Sequence, residues 1–269
     1  MTKTRIESRA PAIAKRGSAV GVYDMTTVPW TDAGKKGISQ KIVRVDHAKG
    51  RYLGLVGFAA LTRSGLHQHL GTATSFFLEG SLSDYAGTAV RGQVGVNLAG
   101  ATHDAVAYES CLLCARLEAP VIYPAGDGPV HRLHAGATHG EIVNASPEAM
   151  PDINVTVEAL PLSSTTLAGV GRRMIFDYSA TADNRRLTQL QLLPGTSVPV
   201  HRTTDLVEWF VYGGDVRVGD ATALAGSFVV IEPDTEVTVS SRYGALLIAW
   251  AEGRIAWSDG APRADLYGF

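Results

Sequence analysis

The chain has 269 residues, 45% hydrophobic and 19% charged, with a formal net charge of −2 at pH 7. That composition can bury a substantial core and excludes an intrinsically disordered chain. Without a basic field no nucleic-acid partner is expected, and no apolar run reaches the ~18–20 residues of a membrane span, so no membrane partner is expected either.

The N-terminal "MTKTRIESRA" lacks the apolar stretch of a secretory leader, and residues 1–20 read as a polar arm. With two cysteines and no leader, a reducing, cytoplasmic compartment is expected. Four segments then read as short strands broken by glycine-centred turns: "GRYLGLVGFAAL", "SFFLEGSLSDY", "GQVGVNL" and "SCLLCARLE". In the last of these a strand sends Cys111 and Cys114 to opposite faces, which suits buried structural thiols and not a redox pair. A Gly-, Pro- and Ala-rich connection follows, carrying His131, His134 and His139 at a spacing that matches no tight metal site. A surface or subunit contact is the expectation for those three.

The second half repeats the first. An offset of 134 carries His67 to His201, Gly80 to Gly214, Gly92 to Gly226 and "CLLCAR" onto "ALLIAW". One offset holding across these landmarks marks a duplication of almost half the chain. With no long helical periodicity, an all-β fold of sandwich or barrel type is predicted.

Within the first repeat, "GLHQHLGTATSFFLEG" places His67 and His69 one residue apart, on one face of a strand. His103, in "GQVGVNLAGATH", is the expected third ligand on a neighbouring strand. Three imidazoles converging on one interior point suit Fe(II), Zn, Cu or Ni.

These residues resemble the cupin superfamily. His67, His69 and Gly80 match the first cupin motif, and Gly92, Gly100 and His103 the second, with Leu98 where proline is usual. In the second half "PGTSVPVHRTTDLVEWFVYGG" keeps Gly195, His201 and Glu208. The resemblance implies two tandem cupin barrels of jelly-roll type. The expected divisions are a first, metal-binding cupin over 21–120, a connection over 121–160, a second, ligand-depleted cupin over 161–258 and a tail over 259–269. Narrower phrases such as "LEGSLSDYAG" look like ChrR-type regulatory cupins, and also like 2,4'-dihydroxyacetophenone and acetylacetone dioxygenases.

The carboxylate usual in the first motif is missing: the position falls on Ala73 or Thr74, opposite Val207 or Glu208 in the second repeat. Three neutral ligands leave the full 2+ charge on a metal, which favours an anionic, chelating substrate. The diketone-cleaving dioxygenases in the resemblance use three histidines on Fe(II), so the resemblance implies iron, O2 and a chelating ketone. Zn, Ni or Mn are the alternative metals, and a metal- or ligand-sensing cupin is the alternative role. Thr74, Phe76 and Tyr108 are the expected pocket residues. His201 and Glu208 are the expected remnant of a second site, where Thr203 and Val237 replace the other histidines. A homodimer is expected, since two-fold pairing is common.

Overall fold

A computed structural model of the chain describes residues 19–124, 138–140, 152–177, 184–263 and 265–268. The expected arm therefore lies outside the described residues up to residue 18, as do His131 and His134; for His139 only the backbone strand Thr138–Gly140 is described. The fold is all-β, and the one helical element among the described residues is the three-residue 3-10 turn Val157–Ala159. No helix among them is long and apolar enough to cross a membrane.

The chain divides into two units. In the first, a seven-stranded sheet runs in the order Asp152–Thr156, Gln93–Asn97, Ala73–Glu79, Cys111–Leu117, Arg51–Phe58, Ile38–Asp46, Thr31–Asp32. Two four-stranded sheets complete the barrel, one built on His67–His69 and Thr102–His103, the other on Ser81–Asp84 and Gly87–Val90. Alternation fills its interior: Cys111, Leu113, Ala115 and Leu117 face the core with Val56, Phe58 and Phe77. Cys114, between them, lies on the other face, and both cysteines are buried thiols outside any disulfide, in keeping with the strand reading. Burial, reinforced by Glu109, pushes the Cys111 thiol up to about 12, so it is inert.

The second unit repeats this plan. Its sheet follows Val170–Asp177, Arg186–Leu192, Ala245–Ala251 and Val207–Val218, with Ser227–Ile231 alongside. The duplication holds at backbone level. Gly80 has φ +65°, and a Cβ there would meet the Ser110 carbonyl at 1.9 Å; Gly214 has φ +76°, and a Cβ would meet the Gly244 carbonyl at 1.8 Å. Only glycine fits either turn.

The boundaries differ from those expected. Val20–Asp24 does not open the first barrel; it pairs with Ser227–Ile231 and belongs to the second unit. Asp152–Thr156, expected in the connection, pairs with Gln93–Asn97 in the first. These two strands are equivalent, 132 residues apart, and so are their partners, 134 apart. Each repeat thus lends its leading strand to the other barrel. Val121–Pro124 also belongs to the first barrel, pairing with His67–His69. Strand exchange is invisible to a reading that assigns each strand to the nearest motif in sequence.

Candidate metal centre

His67 and His103 face each other across an antiparallel pair, their Cα atoms in register. His69 follows His67 on the same face, its backbone held by its N–H to the Ala101 carbonyl at 2.8 Å and its carbonyl to the Gly100 N–H at 2.8 Å. All three side chains are buried, and their nearest ring nitrogens lie within 4.8 Å of one another. His103 Nε2 is 3.1 Å from both His67 Nε2 and His69 Nε2.

The far sides of two rings are committed. His67 Nδ1 donates to the Gly65 carbonyl at 2.7 Å, and His103 Nδ1 donates to Asp84 Oδ2 at 2.7 Å. A neutral imidazole with its proton on Nδ1 presents a bare lone pair at Nε2. Two bare lone pairs 3.1 Å apart repel unless a proton or a cation lies between them. Ligands at right angles on bonds of ~2.1 Å sit ~3.0 Å apart, so the spacing fits a metal held by imidazoles. Backbone donors or acceptors behind metal-binding histidines are the usual means of fixing ring and tautomer.

The supports are themselves supported. Gly65 adopts φ +79°, its N–H donates to Asp104 Oδ1 at 3.0 Å, and Lys35 donates to the neighbouring Ser64 carbonyl. Lys35 Nζ also lies 4.0 Å from the centroid of the Tyr123 ring, which is 5.7 Å from that of His67. Burial lowers the Lys35 pKa against the opposing pull of Asp104. For Asp84, burial would raise the carboxyl, but the His103 hydrogen bond and the Ala86 and Gly87 amides outweigh it and hold the pKa below the ordinary value.

A mainly apolar cavity of about 110 Å³ opens on the three histidines. Ala73, Ser75 and Phe77 line it, so the pocket face of that strand is the one opposite to expectation. Thr74 and Phe76 are buried on the other face, paired with Arg116 and Cys114. Tyr108 is 67% exposed and does not line the cavity. The reason is a count: the strand register places the residue four beyond His69, Ala73, in the carboxylate position, and not Thr74. The same register puts Val207 inward in the second barrel, while Glu208 is on the opposite face. His201 is buried, its Nδ1 donating to the Pro199 carbonyl at 2.8 Å, and stands opposite Val237. His201 and Glu208 do not form a remnant site.

Several cavity residues were not expected: Asp84, Tyr123 and Asn154. Asn154 comes from the exchanged strand and lies beside Gly95, where a Cβ would be in van der Waals contact with Asn154 Oδ1 at 3.4 Å. In the second barrel the equivalent positions are filled. Trp209 stands for Ser75, Val229 for Gly95, Ile231 for Asn97, Val218 for Asp84 and Val237 for His103, all in one apolar core.

Residues 18–120 match the family model described as the ChrR cupin-like domain. Among solved structures, a Nostoc punctiforme protein described as a "putative dioxygenase" superposes with a TM-score of 0.66 at 12% identity, covering 90% of this chain and 84% of its own. A point variant of the Bacillus subtilis oxalate decarboxylase gives 0.60 at 11%, covering 88% of this chain and 79% of its own. The Lactobacillus farciminis oxalate decarboxylase formate complex gives 0.59 at 13%, covering 90% of both chains.

The chain has the fold of a two-barrel cupin, and residues 18–120 match a cupin family model.

No curated protein matches it in sequence. The cupin model begins at residue 18, so it follows chain order and takes in the strand that the structure gives to the second barrel.

Proposed function

We propose that this cupin is a non-haem Fe(II) dioxygenase that cleaves a carbon–carbon bond of a β-diketone or hydroxyaryl ketone. The observation that carries the reading is a buried set of three histidines with Ala73, not a carboxylate, beside it, opening into an apolar cavity. Likeness to a protein described as a dioxygenase supports it. His67, His69 and His103 would hold the metal, which supplies Lewis acidity, a template for two substrate oxygens and the electrons for O2 chemistry. Asp84 fixes the His103 ring and adds negative charge behind the ligand. Ala73 leaves space where a protein carboxylate would otherwise compete with the substrate's oxygens. Leu113, Leu117 and Val121 exclude water and strengthen electrostatic interactions inside the cavity.

Elemental analysis of anaerobically purified protein, beside His103→Ala, tests the site. About one iron per chain, lost in the variant, followed by O2 uptake with chelating ketones, is the expected result. Tight zinc with no O2 uptake favours the second reading, a metal- or ligand-sensing cupin, which the match to the ChrR cupin-like model supports. No transition metal under any loading condition overturns the metal site and with it the dioxygenase reading.

A further inference from the structure

The second barrel has no histidine triad, but its inner face carries a charge. Arg186, Thr188, Leu190 and Leu192 alternate onto one face of their strand, and Leu190 and Leu192 belong to the apolar core with Trp209 and Leu247. Arg172 stands beside Leu190 on the next strand and shares that face. The Arg186 side chain is fully buried at 0% exposure. An arginine there is costly unless a carboxylate meets it.

The C-terminal segment supplies that carboxylate. Asp265 Oδ1 and Oδ2 lie 3.2 and 3.3 Å from Arg186 Nη2, and the Tyr267 ring centroid lies 5.8 Å from the guanidinium carbon. Arg172 donates to the Asp265 carbonyl at 2.7 Å, and Thr188 Oγ1 donates to the Tyr267 carbonyl at 2.8 Å. Ile255 N–H and Tyr267 N–H donate to the same carboxylate at 3.1 and 2.8 Å. Leu266 and Tyr267 are each 1% exposed and join the core of the barrel. Arg172, Arg186 and Thr188, which hold the segment, all face inward. In the first barrel the positions of Arg186 and Thr188 are Tyr52 and Gly54, which hold no such charge.

We propose that Arg186 is a carboxylate-recognition centre of the second barrel, occupied in cis by the C-terminal segment Asp265–Gly268 acting as a built-in aryl-carboxylate ligand. The guanidinium reads two features at once, a carboxylate at its edge and an aromatic ring near its face. A free carboxylate therefore fits the same place when the tail's own carboxylate is removed.

Asp265→Ala leaves a hole of formate size beside Arg186. The full-length variant is heated in formate, acetate or chloride at matched ionic strength. A saturable rise in Tm of roughly 5 °C with the carboxylates, absent with chloride and absent in the unmodified protein, is expected. If Asp265→Ala does not accumulate folded, refolding from urea with the same anions reads the same dependence as yield. The paired variant Arg186→Met/Asp265→Ala should need no anion and respond to none, because the uncompensated charge is gone. Equal effects of chloride and carboxylate, or an anion response that survives in the paired variant, would overturn the proposal.

Discussion

Asp84 makes the most informative single perturbation. Its Oδ2 accepts the His103 Nδ1 proton at 2.7 Å, with side-chain exposures of 15% and 9%. A hydrogen bond that short between a carboxylate and an imidazole is charge-assisted and fixes the ring with Nε2 bare. Asp84→Asn keeps an acceptor but removes the charge; Asp84→Ala removes both. Losing one such support typically weakens metal binding by ~10–100-fold, or about 1.4–2.7 kcal/mol. The expected order is therefore ~10-fold for Asn and nearer ~100-fold for Ala. Competition against a chromophoric chelator, run anaerobically with Fe(II) and separately with Zn(II), measures both. The metal-free proteins should melt close to one another, which separates loss of the site from loss of the fold. Binding within about twofold of the unmodified protein in both variants would refute the role given to Asp84, and with it the reading of the His103 tautomer.

Three further outcomes follow from the same geometry. Ala73→Glu restores a carboxylate at the fourth position and should tighten metal binding by at least ~10-fold while abolishing O2 uptake with a chelating ketone; unchanged uptake would show that Ala73 does not face the metal. Gly80→Ala should cost more than ~3 kcal/mol in urea unfolding because its Cβ strikes the Ser110 carbonyl, whereas Gly92→Ala, at φ +83° with nothing within 4 Å, should cost ~1 kcal/mol. A chain spanning residues 29–155 should retain metal binding that a chain spanning 21–120 loses, since only the former carries Val121–Pro124 and nearly all of Asp152–Thr156; equal retention would show that neither strand matters to the cavity.

Much of this is legible in the sequence, for identifiable reasons. The three histidines sit at fixed spacing on strands whose period of two leaves little freedom, and the repeat offset exposes the duplication. The pocket face is not legible, because the motif tolerates either three or four residues before the carboxylate and this chain has none to mark the place. Counting to Thr74 turns every later side chain through the wrong face. Asp84 carries no local signal, since it reaches His103 across nineteen positions in sequence. Val20–Asp24 falls at the edge of the expected arm and first cupin and Asp152–Thr156 in the expected connection, and only long-range pairing shows that they are exchanged.

The two barrels show how one backbone plan can serve two ends. In the first, small or polar residues at Ala73, Ser75 and Gly95 leave a cavity beside the histidines, two of whose rings are held by hydrogen bonds to the Gly65 carbonyl and Asp84. In the second, Val207, Trp209 and Val229 fill the same volume, adding burial of ~25 cal/mol per Å² in place of a site. Trp209, fully buried, takes the space of Ser75. The remaining recognition chemistry of that barrel has moved to Arg186, where the equivalent of Tyr52 would otherwise pack, and the tail meets it there. A filled core can carry a buried charge only if a counter-ion meets it there, and in this chain Asp265 meets Arg186.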